Sequence, residues 1–149
     1  MKVQCLTEDS GYKKIDGKCF YFEETSLTYD AAKSNCIEKL KPWTGKLFEP
    51  ATLAENNKIA TIFGSLFSGL WWPHIGVNDM SQEDTFLYNT TGLPINFSPV
   101  WTVNHGPGVH GTDSNCIALG YLSSFVGEWV ERPCSTLRPS ICESSVFLP

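Results

Sequence analysis

Six cysteines, at positions 5, 19, 36, 116, 134 and 142, constrain this chain more than any other feature. Their number is even. They form an early and a late group, with no thiol between Cys36 and Cys116. A bridge between the groups would close a loop of most of the chain. Such a cross-link removes about 4–5 kcal/mol of unfolded-chain entropy in the simplest treatment. Disulfides persist in oxidising compartments, so the pattern points to a secreted or extracellular protein. Metal-binding cysteines usually come in pairs roughly two to four residues apart. The nearest neighbours here, Cys134 and Cys142, have seven residues between them. We therefore read disulfides, with the pairing left open by the residues alone.

A chain of 149 residues can bury a substantial core, and we read 1–149 as one domain. No segment approaches the roughly 18 apolar residues of a membrane span. The opening MKVQCLTEDS lacks an apolar leader, and the cysteines lead us to expect that a leader has been removed. The net charge of -5 is unevenly placed. After Lys58 the full positive charges are Arg132 and Arg138, against seven acids. That half should repel nucleic acid and anionic membranes.

Periodicity gives an α+β order. Asp16-Gly17 is a tight-turn pair, and Phe20 and Phe22 alternate as in a half-buried strand, so residues 11–22 read as a hairpin. Cys5 could then staple to Cys19. Thr28 to Leu40 reads as a helix with Tyr29, Ala32, Cys36 and Leu40 on one face, capped by Thr28 and stopped by Pro42. A second helix starts at Thr52, where Thr52 and Glu55 have capping-box spacing. Ile59, Ile62, Phe63 and Leu66 supply its buried stripe, and Gly64 weakens its end. Residues 71–77 read as a buried strand, and short strands are expected near Asn115–Leu119, Glu128–Glu131 and Ser140–Glu143. Between them lies a long Gly/Pro-rich loop, about 99–115, of the kind that is usually functional. Core packing is the default for Trp71, Trp72, Trp101 and Trp129. Trp43, beside Pro42, is expected to be the exposed one.

These residues together resemble the C-type lectin-like domain, over nearly the whole chain from Cys5 to Cys142. Gly11-Tyr12 with Lys18-Cys19-Phe20 looks like the family's N-terminal hairpin. His74-Ile-Gly-Val looks like its Trp-Ile-Gly-Leu strand, with His in place of Trp. Phe97 and Trp101 introduce the long loop, and Gly127-Glu-Trp129 followed by Pro133-Cys134 is similar to its Gly-x-Trp and Pro-Cys segment. The resemblance implies two helices, two small antiparallel sheets and a long loop region. It also implies the disulfides Cys36–Cys142 and Cys116–Cys134, with Cys5–Cys19 marking the form with an N-terminal extension.

Sugar-binding members hold a calcium ion between protein and glycan, and calcium takes about six to eight oxygen ligands. The positions that match the family's ligands are Gly106-Pro107-Gly108, Ser114 and Val130-Glu131. Only Glu131 among them is a carboxylate. A cis peptide before Pro107 would shape the loop rather than bind an ion. The resemblance thus implies the fold while the calcium–sugar motif has been lost. An auxiliary calcium site of some members matches Asp79 and Glu83, with Val109 and Asn115 at its other positions. Val109 offers no side-chain oxygen; Asn115 or Asp113 would have to serve. The alternative is two solvated loop acids.

His105, His110 and Asp113 share the loop and offer imidazole and carboxylate donors for zinc, although loop histidines are commonly plain surface residues. No oriented nucleophile–base pair is visible, so an enzyme is not expected. Asn89-Thr-Thr91 and Asn96-Phe-Ser98 are N-glycosylation sequons, the second followed by Pro99.

The expected function is a secreted recognition module that binds a glycan or protein ligand through the loop, without the usual calcium-mediated sugar site. Its loop residues would be His105, Gly106, Pro107, Gly108, Val109, His110 and Asp113, with Glu131. Two other readings remain. One is a calcium-dependent lectin with non-standard ligands such as Asp113, Glu128 and Glu131. The other is a matrix protein adsorbing to mineral or ice.

Overall fold

The computed structural model describes Cys5, residues 11–109 and residues 111–147. Asp16 and Gly17 both take positive φ, 50° and 84°, as a two-residue hairpin turn with right-handed strand twist requires. They join strand β1 (Tyr12–Ile15) to β2 (Lys18–Leu27), with Ile15 opposite Lys18. β2 is covered on both faces, not half-buried as the alternation suggests. Phe20 and Phe22 enter the main core, while Cys19 joins a second cluster with Cys5, Tyr12 and Tyr29.

Helix α1 (Tyr29–Lys39) begins where the Thr28 side chain accepts from the Ala31 N–H at 3.3 Å. Tyr29, Ala32 and Cys36 are buried on one face, and Leu40 caps the end in the same cluster. The chain returns in β3 (Gly45–Leu47) so close to α1 that a Cβ on Gly45 would collide with the Cys36 carbonyl. Helix α2 (Leu53–Leu66) is capped by Thr52, which accepts from Glu55 N–H at 3.1 Å, while Glu55 reaches back to Ala51 N–H at 2.8 Å. Its buried residues are Asn56, Ile59, Ala60 and Phe63. Leu66 is 39% exposed and Ile62 only partly buried, so the expected stripe is off by a step at its end. Phe67 takes that place instead, 5.4 Å from Phe63. Gly64 does not end the helix. It lies beneath the Tyr121 carbonyl and ring, where a Cβ would sit 3.0 Å from the oxygen.

The remaining strands are β4 (His74–Asn78), β5 (Leu87–Tyr88), β6 (Cys116–Leu119), β7 (Trp129–Arg132) and β8 (Arg138–Phe147). A short 3-10 turn, Ser123–Phe125, lies between β6 and β7. The main path of the sheet runs β1-β2-β8-β4-β6-β7, with β3 on β8 and β5 on β4. Two antiparallel groups are therefore present, and one parallel bridge, His74 to Ser140, joins them into a mixed sheet. Disulfides connect Cys5 to Cys19, Cys36 to Cys142 and Cys116 to Cys134. The cis peptide lies at Lys41–Pro42; Gly106–Pro107 is trans.

Trp129 is fully buried at the centre of the core. Its indole N–H donates to Asn56 Oδ1 at 2.8 Å, and Asn56 Nδ2 donates to the Gly127 carbonyl. Phe97 and Trp101 pack edge-on against it. Two expectations about tryptophans are corrected. Trp43 is half-buried against the α1 cluster, because β3 folds back beneath it. Trp71 is 71% exposed, because β4 starts only at His74 and leaves Trp71 outside the sheet.

His74 takes the place of the family's Trp in the buried strand. Its ring packs edge-on against Tyr29 at 5.6 Å. Nε2 lies 3.0 Å from the Leu27 carbonyl and 3.2 Å from that of Thr136, an environment that fixes the Nε2–H tautomer. Burial pushes its pKa down from 6.5 to about 4, Arg138 adding to the effect, so the ring is neutral at pH 7.

Two outcomes follow from this packing. Trp129→Ala should cost about 3–5 kcal/mol in a denaturant titration, whereas Trp71→Ala should stay within about ±0.5 kcal/mol. Equal midpoint shifts would contradict the assigned burial. Because the folded pKa of His74 is depressed, the unfolded chain binds its proton first. Its contribution is intact above pH 6.5 and is lost as pH falls towards about 4. The loss is of order 3 kcal/mol at most. His74→Phe should therefore lose less stability across that window than the parent protein, measured by urea midpoints at several pH values.

Candidate ligand face and cation site

The loop from Pro99 to Asn115 is tied to β7. Trp129 N–H donates to the Val100 carbonyl and Thr102 N–H to the Trp129 carbonyl. Thr102 Oγ1 also donates to Glu128 at 3.0 Å. Along β7 side chains alternate, so Trp129 and Glu131 point one way and Val130 and Arg132 the other. Glu131 is only 2% exposed. Its Oε2 accepts from the Gly106 N–H at 2.9 Å, and its Oε1 lies 3.1 Å from His105 Nδ1. Gly106 has φ 119° and sits against the Trp101 ring, where a side chain would be both strained and crowded.

The calcium–sugar position therefore does not fit a calcium ion. Gly106, Gly108 and Val130 carry no side-chain oxygen, and both oxygens of Glu131 are engaged within the protein. Among the described residues, Asp113, Glu128 and Glu131 do not converge into an alternative carboxylate cluster. His105 turns towards Glu131. His110, the other histidine of the expected zinc set, lies outside the described residues. Pro107, Gly108, Val109 and Asp113 are exposed on the loop.

The auxiliary position is different. Asp79 and Glu83 are brought together with Asp84, each offering a carboxylate oxygen within 4.8 Å of the others. Asp79 is buried at the end of β4, and its Oδ2 accepts from the Asp84 N–H at 2.8 Å. Asp79 Oδ1 is buried without a hydrogen-bond partner. Asn115 is adjacent: its carbonyl accepts from Asp79 N–H at 3.0 Å, and its Nδ2 donates to Thr112. Asn115 Oδ1 is also buried and unpartnered. Burial raises the pKa of Asp79, with Asp84 adding to it. Glu83 is raised too, through desolvation and then the neighbouring Asp79, Asp84 and Asp113 charges. Two orphaned oxygens beside carboxylates whose mutual repulsion favours a proton are what a hard cation would relieve, so this donor set fits calcium. The family resemblance brought in Asp79, Glu83 and Asn115. It missed Asp84, whose φ of 65° turns the chain back towards Asp79.

A second feature escaped the sequence reading. Residues 69–72, the 3-10 turn, β7 and the start of β8 surround an open cleft of about 510 Å³ beside the loop. Trp71, Trp72, Leu122 and Phe125 form apolar walls, Val130, Thr102 and His105 connect it to the loop, and Arg132 and Arg138 supply charge. These residues are far apart in sequence and carry no motif.

Of the two expected glycosylation asparagines, Asn89 is half-buried, with Oδ1 accepting from Asn78 Nδ2 at 3.3 Å. Asn96 is exposed.

Comparison with known proteins gives the same architecture. No family model matches the chain. It is 32% identical over 130 residues to a tetranectin-like protein of Carcharhinus perezii, covering 87% of this chain and 72% of that protein. It is 28% identical over 134 residues to an alpha-N-acetylgalactosamine-specific lectin of Patiria pectinifera, covering 87% and 76% respectively. Human lithostathine superposes with a TM-score of 0.75 at 20% identity, over 90% of this chain and 96% of that one. With the hairpin, the mixed sheet, the three disulfides and these relatives in place, the chain belongs to the C-type lectin-like proteins.

Proposed function

We propose that this protein is a secreted recognition module that binds a glycan or protein ligand through the face formed by residues 99–115 and β7, with no calcium ion in the sugar-binding position. The observation that carries this reading is the state of Glu131. Its carboxylate is already bound by the Gly106 N–H and His105, so the loop is organised by internal hydrogen bonds where a cation would otherwise be needed. Its relatives are lectins and lectin-like proteins, which supports a binding role rather than catalysis. The three disulfides support an oxidising compartment. Among the described residues no helix is long and apolar enough to cross a membrane. A glycan array probed with and without EDTA tests the reading. Ligands retained in EDTA are expected. Mannose or galactose binding abolished by EDTA would establish the ordinary calcium-dependent lectin instead.

Calcium has a structural part in this proposal. Asp79, Glu83, Asp84 and Asn115 would hold the ion, and the ion would supply charge neutralisation where β4 meets the end of the long loop. Millimolar calcium should then raise the melting temperature, and Asp79→Asn should abolish the rise. The gain should be larger at neutral than at acidic pH, because the raised pKa values of Asp79 and Glu83 make protons compete with the ion. Thermal shift at two pH values checks this. An undiminished rise in Asp79→Asn would place the ion elsewhere.

A further inference from the structure

Arg132 and Arg138 are the only lysine or arginine side chains after Lys58, and both line an aromatic-walled cleft beside the loop. Among the described residues no carboxylate pairs with either. Arg138 is 5% exposed. Its Nη1 donates to the Trp72 carbonyl at 3.1 Å, its guanidinium carbon lies 6.0 Å from the Trp71 ring centre, and its buried Nε has no partner. Burial, with the charge of Arg132 behind it, lowers its pKa to about 10, so it remains a cation at pH 7. A buried cation with a like-charged neighbour and no counter-ion is costly, and an anion arriving between the two relieves it.

The walls narrow the choice of anion. Trp71 is largely exposed, and Trp72 and Phe125 pack at 5.8 Å beside it. An exposed indole held by a cation suits the apolar C–H face of a sugar ring. The cleft volume, about 510 Å³, is within the usual range for small-ligand sites. Arg132 and Arg138 are the two fixed charges in its walls, among apolar and neutral polar side chains. The charge must therefore be local. We propose that the cleft binds one acidic sugar residue, its carboxylate or sulfate against Arg132 and Arg138 and its ring against Trp71. This rests on the loop face being a recognition surface, which Val130 and His105 share with the cleft.

The test is an NMR titration in EDTA with methyl β-D-glucuronide, galactose 6-sulfate, neutral methyl β-D-glucoside and N-acetyl-aspartate. The two acidic sugars should shift the Trp71 indole and Arg138 Nε–H signals, and the glucoside should not. Whichever binds more tightly identifies the anion as carboxylate or sulfate. Arg132→Gln should weaken binding about 10- to 100-fold, the loss of one charge-assisted hydrogen bond. Trp71→Ala should weaken it while leaving the melting temperature unchanged. Both side chains are accessible enough to replace without the unfolding risk of Arg138→Gln. Several results would overturn the proposal: no response to either acidic sugar, equal response to the glucoside, unchanged affinity in folded Arg132→Gln, or N-acetyl-aspartate binding as well as the glucuronide. The last would indicate an acidic peptide partner. On the glycan array, binding lost in EDTA and unaffected by Arg132→Gln would refute the calcium-independent loop reading alone, because the cleft titration is done in EDTA.

Discussion

Strand β8 and the bridge that anchors it hold the rest of this fold in place. β8 pairs with β2, with β3 and, through Ser140, with β4. Cys142 in its middle is tied to Cys36 on α1, 106 residues earlier, with Cα atoms 5.2 Å apart. The bridge thus joins the first helix to the last strand. It removes from the unfolded chain an entropy worth about 4–5 kcal/mol in the simplest treatment. Glu143 extends the same anchor chemically. It is buried, accepts from Lys18 Nζ and Glu49 N–H at 2.6 Å each, and Lys18 also reaches Glu55. The hairpin, β8 and the start of α2 are therefore joined by charge as well as by backbone pairing. Removing one partner of such a buried pair is far more costly than the pair is stabilising.

The anchored half leaves the other half free to vary. Among the described residues, 99–115 contain no helix or strand, yet they are fixed by hydrogen bonds to β7 and by the Cys116–Cys134 bridge immediately after them. A long loop held at both ends can exchange side chains at its centre without disturbing the core. Gly106, Gly108 and Asp113 lie in this part of the loop. The core beneath is fixed by the buried Trp129, whose indole is held by Asn56 of α2.

The sequence made the frame legible because its signals are local or topologically rigid. Asp16-Gly17 needs positive φ, Thr28 and Thr52 need to cap, and Cys36 must lie on the buried face of α1. The errors occurred where tertiary contact decides. Leu66 fits the helical period but loses its place to Phe67. Gly64 carries the signature of a helix breaker yet serves the close approach of Tyr121. Trp43 and Trp71 exchange roles because only the sheet boundary determines which is covered. The site was half visible. Asp79 and Glu83 are four residues apart, within reach of a spacing argument, whereas Arg132, Arg138 and Trp71 meet only through the parallel contact that brings β4 and β8 together.

That contact also explains why one face can carry two opposite electrostatic environments. β4 begins at His74, beside Ser140 and Arg138, and ends at Asn78, beside the acids Asp79, Glu83 and Asp84. At the first end burial keeps His74 neutral, with the nearby Arg138 charge adding to the effect. At the other end desolvation, with the neighbouring acids adding to it, raises the pKa values of Asp79 and Glu83. A single five-residue buried strand therefore separates the arginines at one end from the acids at the other. Its low-polarity core screens neither charge as water would. Under the proposed function, binding at the two ends would be controlled independently, calcium ordering the loop and the arginines selecting its ligand.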